Sequence, residues 1–476
     1  MRYIMSMLIA GLGGLVVACT PVGQGDERAS VGTGDVPPAT ELLATAIERM
    51  GGLEALRGIE RVRFDMITQW NRLNYAAGPY DDGPSYELHT DVRDYSIGAW
   101  RNTRDFSGQG RTVIDLVRGD VAVRDFGQGF EPLNIAYVDE RRELFAYTPD
   151  RLVLGLRDAP DLAALSDTTI AGTTHGRVRG TVDGFDMTLH LRRSDALPAM
   201  VRFRAAHPND FGLVPWGAMD IEVWYSGWRT LEGGVSLPAQ WAIERIGQLY
   251  KRLTVTRAAL NPEFEADSFA VSDELAATYH ETATRPMHDL PLDSARVGGD
   301  FARFGAFGSP VGAVKVGDGW LLLETGQAEL SVDRATEWLA ENAPGRLVGA
   351  VATVLRGNGG AAALAERGTP MFTGPGIAPY LEVVLRNHGV SSGAPEVVHE
   401  ERWVVDGADS VLVAPLDLPD SPGGVLVYSP RLSWIYAADA VQPLHLAILR
   451  DLVERRGWSV DWIGNARDIR QPFGTP

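Results

Sequence analysis

Four residues near the middle of the chain, His280, Glu281, His288 and Asp289, carry side chains that can bind a metal ion. Imidazole and carboxylate groups are the usual ligands of zinc in hydrolytic sites. The spacing of eight positions between the two histidines gives no regular geometry unless a helix spans them, and the surrounding sequence is polar. We therefore favour a solvated polar segment over a metal site here.

Cys19 is the only cysteine among the 476 residues. A disulfide within the chain, a cysteine-rich zinc site and a catalytic thiol in the body of the fold are therefore excluded. The cysteine follows Arg2 and an apolar, glycine-containing run over residues 4–18, which is the pattern of a secretory signal. The run is too short and too rich in glycine to favour a permanent span of about 20 residues. We predict that residues 1–18 are a signal peptide.

The ending of this run, Leu15–Cys19 (LVVAC), resembles the lipobox of bacterial lipoproteins. The resemblance implies that Cys19 is the lipid anchor, and two or three acyl chains would hold the protein stably on a membrane. Thr20 follows the cysteine where an inner-membrane lipoprotein has aspartate, so the expected location is the outer membrane, facing the periplasm. Residues 19–39 are rich in Gly, Pro, Ser and Thr, and we predict a lipidated flexible tether.

The composition is that of a folded protein, with 45% hydrophobic and 22% charged residues. The formal net charge of −18 excludes nucleic acid as a partner, because binding to phosphates needs an excess of Lys and Arg. It also excludes attachment to anionic lipids through a basic patch. The length predicts two or three domains.

The first half of the body reads as a β-sheet domain. A helix is expected from Thr40, as its N-cap, to Gly51-Gly52, and a second from Glu140 to Gly155, broken at Pro149. Segments 62–68, 221–225 and 253–255 alternate apolar and polar residues, which indicates antiparallel strands with one buried face. We predict a curved antiparallel β-sheet domain over residues 40–271, with helices on one side, and a polar linker over residues 272–297.

Six tryptophans fall in this predicted sheet domain: Trp70, Trp100, Trp216, Trp224, Trp228 and Trp241. They are explained by core packing, or by a concave apolar face that holds an acyl chain or a glycan. Lipid, glycan or protein therefore remain the possible ligands.

The second half mixes apolar strands with helices, which indicates a layered α/β arrangement. Strands are expected at 312–316, 320–324, 347–355, 411–415, 424–428, 433–437 and 458–464, and helices at 331–343, 360–367, 377–388 and 440–456.

Residues 317–326 (GDGWLLLETG) resemble the early hairpin of the metallo-β-lactamase fold, whose second strand usually ends in Asp-Thr-Gly. Gly359-Gly360 matches the double glycine that closes the family's zinc signature, T-H-x-H-x-D-H-x-G-G. Residues 424–430 and 434–439 resemble two later strands of that fold. The resemblance implies an αββα-type domain over residues 298–476, so the predicted class of the whole chain is α+β.

The first half also resembles a known domain. Leu53–Arg57 (LEALR) after Gly51-Gly52, and Val235–Pro238 (VSLP) before a strand, are similar to the sheet domain that precedes this fold in some secreted bacterial proteins. That domain in turn resembles periplasmic lipoprotein-carrier proteins.

The metal-binding positions of the family are occupied here by residues that mostly lack metal-binding side chains: Ala352, Val354, Arg356, Gly357, Asp420, Asp439 and Asn465. Arg356 would place a fixed cation in the metal site, where Asp420 and Asp439 could pair with it. Asp439 is otherwise expected to cap the helix from Ala440, and His445 to be a surface or capping residue.

We therefore expect a degenerate fold with no metal, no cofactor and no catalytic residue, and with a binding or scaffolding role. The alternative is an active hydrolase of this fold that uses an atypical or shifted metal site.

Overall fold

The computed structural model describes residues 37–73, 84–106, 110–265, 267–306, 309–354, 358–419, 421–440, 442–465 and 467–474. The predictions for the signal peptide, the tether and Cys19 lie outside these residues, as do those for Arg356, Gly357 and Asp420. Among the described residues, none of the helices has both the length and the apolar composition needed to cross a membrane.

Within the described part of the first half, thirteen strands form one antiparallel sheet. They are β1 Arg61–Trp70, β2 Ser85–Asp94, β3 Ala99–Phe106, β4 Arg111–Arg118, β5 Val121–Asp125, β6 Phe130–Pro132, β7 Ala163–Ile170, β8 Thr173–Val182, β9 Phe185–Arg192, β10 Pro198–Ala206, β11 Ala218–Thr230, β12 Ser236–Arg245 and β13 Gln248–Leu260. Their order is β6-β5-β4-β3-β2-β1-β13-β12-β11-β10-β9-β8-β7, so the first and last long strands of the segment pair at its centre.

Helices accompany this sheet on the face where its apolar residues lie. They are α1 Ala39–Arg49, α2 Leu53–Arg57, α3 Ala136–Tyr147 and α4 Pro149–Asp158. The predicted break at Pro149 is confirmed, because Pro149 is the first residue of α4, where proline's missing N–H costs nothing. The predicted N-cap is wrong: Thr40 lies inside α1, and Pro38 occupies the cap position.

The core of the first half contains the buried faces of these helices and alternate residues of the strands. Phe64 of β1 and Trp241 of β12 meet edge to face, with ring centroids 6.0 Å apart. Leu43 of α1 and Leu152 of α4 are buried in the same cluster. The alternation seen in the sequence therefore reflects one face packed against helices, as predicted.

The second half contains two further sheets among the described residues. One has the order β14 Ser294–Gly298, β15 Phe301–Ala306, β16 Ser309–Val316, β17 Gly319–Leu323, β18 Leu347–Ala352, β19 Met371–Thr373 and β20 Glu396–Val397. The other has the order β21 Arg402–Asp406, β22 Asp409–Leu418, β23 Ser421–Ser429, β24 Trp434–Tyr436, β25 Trp462–Gly464 and β26 Gln471–Pro472. The helices are α6 Glu329–Asn342, α7 Ala361–Glu366, α8 Ala378–Asn387 and α9 Pro443–Arg456.

Four layers follow from the apolar clusters of this half. Valines and leucines of both sheets, such as Leu323 and Val427, pack between the sheets. The other face of the first sheet packs on α6, α7 and α8, and the other face of the second packs on α9. The predicted α+β class, an antiparallel sheet followed by an αββα arrangement, is confirmed.

The segment 272–297 contains helix α5 Asp273–Thr282, a 3₁₀ turn at Met287–Asp289 and part of β14. The two halves touch nearby: Asn209 Oδ1 accepts a hydrogen bond from the Met287 amide (3.0 Å), and Gln327 Nε2 donates one to the Phe211 carbonyl (2.7 Å). His388 lies against Pro215 and 3.0 Å from Glu329. The domain boundary at this segment stays a prediction.

Candidate functional site

The end of β18 carries two of the residues that the resemblance predicts at metal positions. Ala352 is the last residue of β18, and both it and Val354 are buried. Val354 packs in the cluster between the two sheets. Neither side chain has an atom that can donate an electron pair to a metal, so these two positions do not fit a metal centre.

Thr353, between them, makes a hydrogen-bonded connection that crosses from one sheet to the other. Its hydroxyl donates to Glu324 Oε1 (2.5 Å) and accepts from the amide of Ala438 (3.2 Å). The Thr353 amide also donates to both carboxyl oxygens of Glu324, at 3.1 and 3.2 Å. We call Glu324, Thr353 and Ala438 the strand-end network.

Glu324 follows β17 and is only 5% exposed. Its φ of +66° is in the left-handed region, which is rare for a residue with a side chain and is held here by the surrounding contacts. Burial raises the pKa of Glu324 to about 8; the bonds from Thr353 oppose the increase, and the nearby Asp439 carboxylate adds to it. At neutral pH the carboxyl group therefore carries a proton for most of the time.

Asp439, which the resemblance predicts at a metal position, is half-buried beside this network. The expectation that it caps a helix from Ala440 is wrong, because α9 begins at Pro443 with Gln442 at the cap position. Its carbonyl oxygen accepts a hydrogen bond from Nδ1 of His445 (2.6 Å). His445 is 2% exposed, so it is a buried residue that closes the turn before α9 and not a surface residue.

Asn465, at the position of the family's last histidine, has a structural role. Its Nδ2 donates to the Ala440 carbonyl at 3.2 Å, and its Oδ1 accepts from the amides of Arg467 (2.8 Å) and Asp468 (3.0 Å). The side chain is buried and fixes the loop after β25. The ion pair predicted between Arg356, Asp420 and Asp439 involves two residues outside the described ones.

Little space remains at the strand ends. The cavity bordered by Thr353, Val354 and Asp439 measures about 10 Å³. This is about the volume that one water molecule needs.

The double glycine of the signature is kept for a packing reason. A Cβ on Gly359 would lie 2.2 Å from the Gln327 carbonyl oxygen, and one on Gly360 would lie 2.0 Å from the Thr325 carbonyl oxygen. Only glycine allows this loop to touch the backbone after β17.

The residues with metal-binding side chains near the middle of the chain do not converge. His280 is exposed on α5, whereas His288 and Asp289 are exposed in the 3₁₀ turn, 3.3 Å from each other. Among the described residues, no three His, Cys, Asp or Glu side chains come close enough together to hold a metal ion.

A cavity of about 560 Å³ is lined by residues of the first half and by Gln327 of the second. Its aromatic border contains Trp70, Tyr137, Tyr250 and Phe211, and we call it the outer cavity. An inner cavity of about 60 Å³ adjoins it between the sheet and α3. Trp70, Arg104, Tyr137 and Glu140 border both.

Charged residues line part of these two cavities, beside the aromatic rings, and the kind of ligand stays a prediction. Lys251 pairs with Glu140 at 2.8 Å and lies 3.9 Å from the ring centroid of Trp70. Arg104 and Arg124 both pair with Asp115. Of the six tryptophans, Trp70 and Trp100 border a cavity, whereas Trp216 and Trp241 are buried in the core.

Comparisons with known proteins give matches of structure only. No family model matches the chain, and no curated protein does. Similar solved structures include a metallo-β-lactamase from Pontibacter korlensis (16% identity, 38% of this chain and 92% of that chain, TM-score 0.29). They also include a putative outer membrane lipoprotein-sorting protein domain from Vibrio parahaemolyticus (11% identity, 48% and 97%, TM-score 0.31). A third is a LolA superfamily protein from Nitrosomonas europaea (10% identity, 49% and 98%, TM-score 0.32). Both kinds of protein suggested by the sequence are thus among the structural neighbours.

Proposed function

We propose that this protein is a lipid-anchored protein of the bacterial cell envelope whose second domain has lost its metal centre and which acts by binding, not by hydrolysis. The strand-end network carries this proposal. Glu324 and Thr353 fill the place where a metallohydrolase would gather its ligands, and they bond to each other and to the backbone.

The chemistry of this site supports the proposal. A zinc hydrolase needs imidazole or carboxylate ligands that converge on the metal and lower the pKa of its bound water. Here Ala352 and Val354 supply only carbon atoms, and Asn465 uses its amide to hold a loop.

We expect the full-length protein, purified in detergent, to contain far less than one zinc, iron or manganese ion per chain. Chelator treatment should leave its melting temperature unchanged, because a structural metal would contribute folding free energy that chelation removes. Elemental analysis and thermal unfolding measure the two quantities. One tightly bound metal per chain, together with chelator-sensitive hydrolysis, would contradict the proposal and favour the hydrolase with an atypical site.

The membrane anchor is tested separately. Cys19→Ser should abolish metabolic labelling with a radioactive fatty acid and move the protein from the membrane fraction to the soluble fraction. Thr20→Ser is the matched control, because it changes the next residue and keeps the thiol. Unchanged membrane association of the Cys19 variant would show that another part of the chain holds the protein to the membrane.

A further inference from the structure

Helix α8 packs against both halves of the protein. Leu381 belongs to the apolar cluster between α8 and the first sheet of the second half, whereas Val384 belongs to the core of the first half. Tyr380 on the same helix meets Trp216 of the first half edge to face, with ring centroids 6.5 Å apart. His388 directly follows the helix and therefore lies at the border between the halves.

The ring of His388 lies between two oxygen acceptors. Its Nδ1 is 3.0 Å from Oε1 of Glu329, and its Nε2 is 3.3 Å from the carbonyl oxygen of Pro215. A carboxylate and a carbonyl oxygen can only accept, and a neutral imidazole has a single N–H to donate. The ring can therefore bond to Glu329 and Pro215 at the same time only when both of its nitrogens carry a proton.

The charged side chains near His388 favour this protonated form. Burial lowers the pKa of His388, but the hydrogen bond and the charge of Glu329 outweigh burial, with a further contribution from Glu366 of α7, and the pKa is raised above 6.5. The bond to His388 lowers the pKa of Glu329, which is thus ionised at neutral pH. From the first half, Arg204 of β10 donates to the neighbouring Asn387 carbonyl at 3.4 Å.

The Pro215 carbonyl belongs to residues 207–217, between β10 and β11, which we call the β10–β11 loop. Residues 209–213 of this loop border the outer cavity. Gln327 of the second half donates to the Phe211 carbonyl of the same loop at 2.7 Å. Two residues of the second half thus contact the loop that forms one side of the cavity.

The His388 ring also packs closely on the backbone of this loop. Gly217 has a φ of +63°, and a Cβ there would lie 2.7 Å from Cδ2 of His388. The His388 side chain is 15% exposed, so protons can reach it from the solvent although most of its surface contacts protein. The contact therefore combines close packing with a group that gains or loses a proton near neutral pH.

We propose that His388 is a pH-sensitive link between the second half and the β10–β11 loop, in which loss of the ring proton breaks one of its two bonds and loosens the loop beside the outer cavity. Because the folded protein favours the protonated ring, the link is complete below about pH 6.5 and is lost as the pH rises through the higher pKa of the folded state. The inference goes beyond the proposed function, since it depends neither on the lipid anchor nor on the absence of a metal.

Hydrogen–deuterium exchange of the full-length protein, measured by mass spectrometry in peptides that cover residues 207–217, tests this link. The amides of Val214 and Trp216 report on the loop, because both donate to carbonyl groups within it, at 2.7 and 3.0 Å. Their protection is the measured rate corrected for the intrinsic exchange rate at each pH. It should fall about three- to tenfold between about pH 6 and about pH 9, the value of one hydrogen bond.

Two variants assign this pH dependence to the link. His388→Gln should abolish it, because the glutamine amide does not titrate, whereas His399→Gln, at an exposed position of the second half, should retain it. Glu329→Gln keeps the ring but removes the carboxylate that favours its proton, so the midpoint of the fall should move to lower pH.

Protection that does not change with pH in the parent protein would overturn the inference, as would an equal pH dependence in the parent and in His388→Gln. An unchanged midpoint in Glu329→Gln would also overturn it. This last measurement decides the question even if the His388 variant does not fold.

Discussion

Glu324→Gln should abolish the contribution of Glu324 to the pH dependence of stability. In the parent protein this contribution lowers the free energy of unfolding by about 1.4 kcal/mol per pH unit between about pH 4.5 and about pH 8. The folded protein keeps the Glu324 proton up to about pH 8, whereas the unfolded chain releases it near the ordinary value of 4.5. Between these values the folded state binds more protons, so its stability falls as the pH rises. The contribution of the neutral carboxyl is fully present below pH 4.5 and is lost as the pH passes 8.

Urea unfolding of the parent and the variant at several pH values measures this difference, and subtraction cancels the other titrating groups. Glutamine keeps the carbonyl oxygen that accepts from the Thr353 amide. Glu341→Gln, at an exposed position of α6, is the matched control and should leave the slope unchanged. Parallel profiles for the parent and the Glu324 variant would show that Glu324 is ionised at neutral pH and would remove the neutral carboxyl from the strand-end network.

Gly360→Ala should destabilise the protein by about 3 kcal/mol, at the upper end of the cost of overpacking a core. The new methyl group would lie 2.0 Å from the Thr325 carbonyl oxygen and 2.5 Å from Cγ2 of Val332. Because Gly360 has an ordinary φ of −69°, the loss would report on packing and not on backbone conformation.

The control for this substitution is Gly298→Ala in β14. A Cβ at Gly298 meets no atom within 4 Å, and this substitution should change stability by less than about 0.5 kcal/mol. Equal stability of the Gly360 variant and its parent would show that the loop can move away from the backbone after β17. The close contact would then not explain the retained double glycine.

Local patterns predicted most of the elements and the layers. The helix stop at Gly51-Gly52, the hairpin at Gly317–Gly319 and the N-terminal position of Pro149 each follow from backbone rules that act within a few residues. The predicted starts of the helices after Thr40 and Asp439 were wrong. A residue that can cap a helix is a weak signal, because the backbone conformation before it determines where the helix begins.

The predicted metal positions stay predictions, whereas the contacts of their neighbours needed the structure. The sequence alone shows that Ala352 and Val354 have no metal-binding atoms, once these positions are found by counting back from Gly359-Gly360. Glu324 was noticed only as part of a resemblance, because its protonation depends on burial and on contacts with Thr353 and Asp439, which are distant in sequence.

The polar lining of the cavities was missed for a similar reason. Asp91 and Arg93 are two residues apart on one strand, so the alternation rule could have placed them on the same buried face. Lys251 and Glu140 are separated by 111 residues and meet only when α3 packs against the sheet. Their pairing requires the tertiary structure.

The hydrogen bond from Gln327 to the Phe211 carbonyl has a consequence for the relation between the two halves. Gln327 follows the hairpin of the second half, and it also borders the outer cavity. The second half thus supplies one residue to the wall of this cavity and bonds to the backbone of another. A substitution at Gln327 would therefore change the wall of a cavity whose other lining residues all belong to the first half.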